Sequence, residues 1–467
     1  MNDDTVKASP TKRFFVEMLT RDIEVQDAIL DLLDNCVDGI LRTIDRNSPS
    51  QTPYEGYYAR INFDNQSFEI QDNCGGIPKD VAINYAFMMG RPKKDRDEDL
   101  PTVGMYGIGM KRAIFKLGRS CTVKSYTKND AFEVTIDPVW MSSDDNWNLG
   151  LNNIDNIGNI VGTHIKIEDF PINIKEYFDA NMPVYTSLPA TIAQHFSFII
   201  KKGFKIFVNE IEINPKDVSL LISSDGQLIR NSITPYMYQG TINSVNVYLV
   251  VGFYKPMIDS DELEEEAKTR RSTEDAGWTI VCNDRVVLYN DKTILTGWGE
   301  ANVPSYHTQF IGIFGIVFFE SNHASNLPLT TTKRGVDGSS TIYLKVKNFM
   351  RDGLKKFTDY TNYWKPFNKE QKEFVENAIP KDIISLAKTE RNDAWNRVRG
   401  SDNEYKLDLP LRRPPEVNSD PMQSIRFFKK KSEIERVKNY FFDEEQRVKP
   451  SEVGVKCFDS ILNQLEQ

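Results

Sequence analysis

Residues 27–40 read DAILDLLDNCVDGI. Acidic or amide side chains fall at Asp27, Asp31, Asp34, Asn35 and Asp38, and Ile29, Leu30, Leu32, Leu33, Val37 and Ile40 fill the intervals. Apolar residues return every three or four positions from Phe14 to about Arg42, which predicts a helix. On such a helix Asp31, Asn35 and Asp38 share one stripe, because residues three and four apart are neighbours. Asp27 and Asp34 flank it. A helix this apolar is expected to be buried, so its polar stripe must face something polar inside the protein. Two readings of the run stand side by side. One is a solvated acidic face on an amphipathic helix. The other is a carboxylate–amide set for a magnesium ion that keeps waters and shares its ligands with a phosphate chain.

Two glycine-rich stretches follow. Residues 58–71, YARINFDNQSFEIQ, alternate as a strand pair around an Asp-Asn turn. They run into DNCGGIP, residues 72–78. A carboxylate at the mouth of that turn can accept a hydrogen bond from an exocyclic amine, and Gly75 and Gly76 let a planar ring lie against the backbone. The same residues also fit an ordinary Asp-Asn-Gly type turn. Residues 104–118, GMYGIGMKRAIFKLG, open a helix after Gly104, Gly107 and Gly109. Helix-starting amides make an anion site, with Lys111 and Arg112 adding positive charge. The spacing is neither a Walker-type phosphate loop nor a dinucleotide fingerprint, and no run of alternating strands and helices surrounds it.

The chain has 467 residues, a hydrophobic content of 40 %, a charged content of 27 % and a net charge of -9. Its length predicts two or three domains. The acidic balance argues against nonspecific adhesion to nucleic acid, although a local basic patch is compatible with it. No apolar run reaches the roughly 18–20 residues of a membrane span. The opening MNDDTVKASPTKRFF lacks the apolar core of a secretory signal. The five cysteines are scattered without metal-ligand spacing, and the four histidines are scattered too. A reduced, cytoplasmic protein without zinc is expected.

The pattern further predicts a short helix at 81–89 and strands at 120–127, 131–137 and 162–168, with the first domain ending between about 170 and 190. A helix near 187–202 and strands around 205–213, 243–254, 278–288 and 310–320 follow. Beyond about 340 the pattern is helical. The charged stretches RPKKDRDEDLP (91–101) and DSDELEEEAKTRRSTED (259–275) are expected to be solvated, and RRPPEVNSDP (412–421) reads as a linker.

The order of elements carries a resemblance. An acidic–amide helix, an Asp–Gly–Gly turn, a polar segment, a glycine loop and the strand VGTHIKI (161–167) resemble the GHKL, or Bergerat-fold, ATPases. That superfamily includes gyrase B subunits, heat-shock-ninety chaperones, MutL repair proteins, sensor histidine kinases and microrchidia ATPases. The resemblance covers about the first 170 residues. It implies an α+β protein: a Bergerat-type α/β sandwich ATPase domain over 1–180, an α+β transducer domain over 181–360, and a helical C-terminal extension over 361–467.

The resemblance also implies roles. Asn35 would hold magnesium, Asp31 would polarise the attacking water, and Asp72 would read the adenine amino group with Thr163 in support. Gly104, Gly107 and Gly109 would wrap the phosphates, beneath a lid formed by 90–103. Asp38, Gly76, Ile77, Tyr106, Ile108, Met110 and Lys111 fall among the nucleotide-binding positions. In LPLTTTKRGVD (327–337), Lys333 matches the lysine that a transducer domain sends to the terminal phosphate. The run GWTIVCNDRVVLYND (277–291) resembles a transducer strand of the microrchidia type, which sensor kinases lack. Two positions depart from the pattern. Cys74 replaces a glycine of the turn. Asp31 stands where hydrolysing families have glutamate, and one methylene less retracts the carboxylate by about 1.5 Å. Displacement of that order can lower a rate about a hundredfold.

The expected function is therefore an ATP hydrolase that needs Mg2+, slowed by Asp31, and acts as a conformational switch. Its relatives close as nucleotide-dependent homodimeric clamps, with DNA or a protein as partner and no membrane. The alternatives are a nucleotide-gated binding module with little hydrolysis, and a chaperone-like ATPase. His164 is expected to point away from the site. The run RFFKKK (426–431) fits a solvated helix face better than a nucleic-acid grip, since Glu433 and Glu435 follow.

Overall fold

The computed structural model describes residues 11–44, 50–88, 107–143, 146–224, 226–257, 275–330, 333, 335–414, 425–442 and 448–465. The lid segment 90–103, Gly104, Tyr106 and nearly all of the acidic stretch 259–275 lie outside these residues. The protein is α+β, and residues up to Pro414 form one compact unit.

Strands β1 (Tyr58–Phe63) and β2 (Phe68–Asp72) form the expected hairpin. Asp64 Oδ1 closes its turn, accepting from the amides of Gln66 at 2.7 Å and Ser67 at 2.8 Å. Strands β3 (Ser120–Tyr126), β4 (Ala131–Ile136), β5 (Leu151–Asn153), β6 (Gly162–Glu168), β7 (Lys205–Val208) and β8 (Ile211–Glu212) complete an eight-stranded sheet of order β5-β4-β3-β6-β2-β1-β7-β8. Burial alternates along β1 and β3, so one face is apolar and the other polar. On the polar face His164 lies 3.5 Å from Glu69.

The apolar face is covered by α1 (Lys12–Arg21), α2 (Val25–Thr43), α4 (Gly109–Leu117) and α7 (Val184–His195). Shorter helices are α3 (Lys79–Val81), α5 (Pro138–Ser142), α6 (Ile172–Tyr177) and α8 (Ser197–Lys201). Leu33, Ile29, Ile114, Val123 and Ile167 meet in this core. Truncating one of them to alanine is expected to cost about 2–5 kcal/mol.

Three expectations change. The single helix from Phe14 to Arg42 is two, broken at 22–24 where Glu24 is extended and Ile23 turns into the core. The region 81–89 winds instead as α3 followed by a π-helical turn over Ala82–Ala86. The first sheet also continues past residue 180 to Glu212, because β7 pairs in parallel with β1. Such a long-range pairing leaves no local signal.

A second, seven-stranded sheet has the order β13-β12-β14-β11-β10-β17-β16. Its strands are β10 (Tyr236–Ile242), β11 (Val245–Phe253), β12 (Gly277–Cys282), β13 (Arg285–Asp291), β14 (Ile313–Glu320), β16 (Asn396–Arg397) and β17 (Glu404–Leu407). A separate pair joins β9 (Ser219–Ile222) to β15 (Ile379–Asp382). Along β14, Ile313, Val317 and Phe319 pack into one layer while Phe314, Ile316 and Phe318 pack into the opposite one, so this strand is buried on both faces. The long helix α9 (Thr341–Trp364) covers the first layer through Tyr343, Val346, Met350, Leu354 and Phe357.

The stretch 278–288, read as one strand, is a hairpin. Asn283 and Asp284 adopt φ 47 and 67, the pair of left-handed residues that a type I′ turn requires. Residues 361–414 are likewise not purely helical, since β17 takes its place beside β10.

Residues 415–467 are a unit of their own, with the boundary inside RRPPEVNSDP. It contains the helices Lys431–Phe441 and Pro450–Leu465. Residues 426–430 precede the first helix as exposed, non-helical chain. Among the described residues no helix is long and apolar enough to cross a membrane.

Candidate nucleotide site

The site forms around α2. From Asp27 to Leu41 every residue of this helix is buried except Asn35, which is exposed, and Gly39, which is half-buried. These two lie four apart on one stripe, so the helix is open along a single narrow window. Gly39 is needed for close approach: a Cβ there would lie 2.6 Å from the carbonyl oxygen of Cys74. The turn after β2 therefore rests directly on the helix beside that window.

At one end stands Asp72. Its Oδ1 accepts from the backbone N–H of Cys74 at 2.7 Å and of Thr163 at 3.3 Å. The Cys36 thiol donates to Oδ2 at 3.6 Å. Gly162 makes the approach of Thr163 possible: its φ is 144, and a Cβ would fall 1.9 Å from the Asp72 carbonyl oxygen. Burial pushes the Asp72 carboxyl up to about 6, against the two amides and the Cys36 thiol, which favour the charged form. Ile77 is pinned beside this turn, its N–H donating to Ser125 Oγ at 2.6 Å while that hydroxyl donates to the Ile77 carbonyl at 3.0 Å. Gly76 adopts a left-handed φ of 71 within the same turn.

At the other end charges of both signs alternate. Arg112, near the start of α4, donates to Asp31 Oδ2 through Nη2 and through Nε, the latter at 3.2 Å. Lys333 Nζ sits 3.7 Å from Asp31 Oδ1 and 3.0 Å from Asp34 Oδ2. Arg285 Nε donates to Asp34 Oδ1 at 2.8 Å. Burial alone would push the Lys333 ammonium down, but Asp34, Asp31 and Asp38 outweigh it and hold it above the usual lysine value. Burial would raise Asp34, and the charges of Arg285 and Lys333 outweigh that too, leaving its carboxyl below the usual range.

The second sheet delivers these cations through the β12–β13 hairpin and the loop carrying Lys333. Arg285 is held by more than its ion pair: Nη1 donates to the carbonyls of Val286 at 2.7 Å and His195 at 3.2 Å, and its guanidinium lies 4.3 Å from the Phe196 ring centre. His195 Nδ1 donates to the Val286 carbonyl at 2.7 Å. Burial, with the Arg285 charge adding, pushes that imidazole down to about 4, so it is neutral at pH 7. Next to it, Asp284 accepts from Lys202 at 2.6 Å and from the Tyr54 hydroxyl at 3.1 Å. The hairpin tip is thus fastened to the layer that carries the site.

Asn35 lies between the two ends, since its chain neighbours Cys36 and Asp34 touch Asp72 and Lys333 respectively. Asp38 is buried on the same helix. Gly107, Ile108 and Gly109 lead into α4, and a Cβ on Gly109 would lie 3.3 Å from Asp31 Cγ. Met110 is buried in the core. Lys111, expected to add charge beside the phosphates, instead directs its ammonium to the carbonyl oxygens of Ala86, at 2.9 Å, and Gly107. Sequence reasoning missed Asp34 and Arg285, and it gave Arg112 no contact with Asp31. Only the DLLDN run, with a second carboxylate three residues after Asp31, hinted at Asp34.

Comparison with curated proteins gives no match. Residues 23–163 match the family model described as histidine kinase-, DNA gyrase B-, and HSP90-like ATPase, a span that takes in α2, the Asp72 turn, the start of α4 and Thr163. That match supports a likeness of this segment to the ATPase domain of the superfamily.

Proposed function

We propose that this protein is an ATP-dependent conformational switch whose second sheet responds to the terminal phosphate through Lys333. The observation that supports it best is the arrival of Lys333 Nζ 3.0 Å from Asp34, on the helix that also bears Asn35, 299 positions away in the chain. A buried ammonium delivered across two layers to the phosphate side of an ATP-binding domain fits a sensor of the last phosphate.

In this reading Asp72 accepts a hydrogen bond from the adenine amine, with Thr163 and Cys74 holding the carboxylate in place. Gly76 and Ile77 border the base. Gly107, Ile108 and Gly109 present backbone amides to the phosphates at the start of α4. Magnesium suits the exposed Asn35 amide, and supplies charge neutralisation for the phosphate oxygens. Magnesium keeps several waters and would share its remaining ligands with the phosphates. Asp31 Oδ1 orients a water toward the terminal phosphate while Arg112 fixes Oδ2. The layer built on the first sheet, which runs on to Glu212, acts as the ATPase domain and the layer built on the second sheet as the transducer. Closure joins two copies into a clamp that acts on DNA or on a protein partner.

One observation favours a second reading, nucleotide binding with little turnover. Asp31 is one methylene short, and its Oδ2 is taken by the Arg112 guanidinium, which leaves a single oxygen to meet a water. Phosphate release separates the two. Turnover abolished in Asp31→Ala and raised in Asp31→Glu supports the hydrolase, whereas none in the unaltered protein supports the binding module. Oligomeric state with and without a non-hydrolysable ATP analogue tests the clamp. A dimer only with analogue is expected, and a monomer under both conditions removes it.

A further inference from the structure

Asp34 divides its two oxygens between unlike partners. Oδ1 receives Arg285, whose guanidinium is also tied to two carbonyls and stacked on Phe196. Oδ2 receives Lys333. The carboxylate side chain is 2 % exposed and the Lys333 side chain 12 %, so water competes weakly for either. Lys333 itself has a φ of 56, a left-handed conformation in which a side chain with a Cβ is seldom found. One cation is thus fixed from several directions. The other is held at a strained backbone position by one strong contact and by the more distant Asp31.

We propose that Asp34 is a positioning residue that parks Lys333 beside the phosphate site and competes with the terminal phosphate for it. Asp34 thereby sets how strongly the site prefers a nucleoside triphosphate over a diphosphate. This rests on the Lys333 role proposed above. A diphosphate lacks the third phosphate that would draw the ammonium away, so Lys333 stays on Asp34. A triphosphate does, and its net affinity is the new charge-assisted bond less the one given up. Arg285 stays on Oδ1 in both states, so the carboxylate is never left as an uncompensated buried charge.

The test compares Mg-ATP-analogue and Mg-ADP affinities by calorimetry for the unaltered protein and for Asp34→Asn, Lys333→Met and the double variant. Asparagine keeps an oxygen for Arg285 and removes the charge that holds Lys333. The expected result is a rise of about tenfold in triphosphate preference for Asp34→Asn, the size of one charge-assisted hydrogen bond. Lys333→Met should lose the preference, and the double variant should match it. A preference that falls or stays level in Asp34→Asn overturns the competition, leaving Asp34 as a clasp between layers. If the unaltered protein binds both nucleotides without preference, the Lys333 role fails and this inference fails with it. Should Asp34→Asn not fold, the unaltered protein supplies the answer through the Lys333 Nζ nitrogen resonance. It should coincide in the free and ADP-bound states and move with the triphosphate analogue. An equal shift with ADP overturns the proposal.

Discussion

The two ends of the site are built in different ways. At Asp72 the carboxylate is held by backbone amides and a neighbouring thiol from one layer, with glycines where side chains would collide. At Asp31 and Asp34 the geometry is set by charged side chains, and two of the three cations come from the second sheet or its following loop. A base pocket of fixed backbone can be ready before its ligand arrives. A phosphate pocket closed by side chains from another layer can report on what is bound. Under the proposed function, the Asp72 end would serve recognition and the Asp31–Asp34 end transmission.

The contrast can be broken in several ways, beginning with the largest expected effect. Replacing Lys333 by methionine should lower phosphate release about a thousandfold, as loss of a cation at a transferring phosphoryl group does, with ADP affinity unchanged. A steady-state assay beside calorimetry reads both. Next, Arg285→Ala leaves the buried Asp34 with one cation fewer and should destabilise the protein by about 3 kcal/mol in a denaturant titration. Asp72→Asn should weaken ATP binding about a hundredfold while leaving the unfolding midpoint nearly unchanged, since an amide oxygen still accepts from the Cys74 and Thr163 N–H groups and the Cys36 sulfur can accept weakly from the new amide NH2.

The smallest effects are those of pH. With its carboxyl at about 6, Asp72 is mostly charged at pH 7 and mostly protonated at pH 5. An adenine amine needs the charged form, so ATP affinity should fall about tenfold between those values. The sign for folding is opposite. A carboxyl raised in the folded state favours folding at low pH, and that contribution is lost as pH rises from the ordinary aspartate value of about 3.9 toward about 6. The depressed Asp34 and raised Lys333 behave conversely. Their contribution is present from about pH 4 to about pH 10, and is lost as pH falls through the lowered Asp34 or rises through the raised Lys333. Urea midpoints across pH, with Asp72→Asn and Lys333→Met as controls, check each sign.

The Asp72 end was the more legible of the two in the sequence. Periodicity marked α2, alternation marked the β1–β2 hairpin, and glycines marked the turns, because each of these is a local pattern. The ion pairs of Asp34 escaped notice, since Arg285 and Lys333 are 251 and 299 positions distant. The β12–β13 turn was also missed. It uses Asn283-Asp284, with no glycine to announce the left-handed pair. Strands β15, β16 and β17 are two to four residues long and too short for period two to show. Lys333 was found by resemblance alone, and nothing local in LPLTTTKRGVD indicates the carboxylates it meets.

A structure with magnesium and a non-hydrolysable ATP analogue bound tests the central claim most directly. The account predicts adenine at Asp72, the metal at Asn35, and Lys333 Nζ moved from Asp34 to within about 3 Å of a terminal phosphate oxygen. A nucleotide bound away from α2, or a Lys333 that remains on Asp34 with the triphosphate in place, would contradict it.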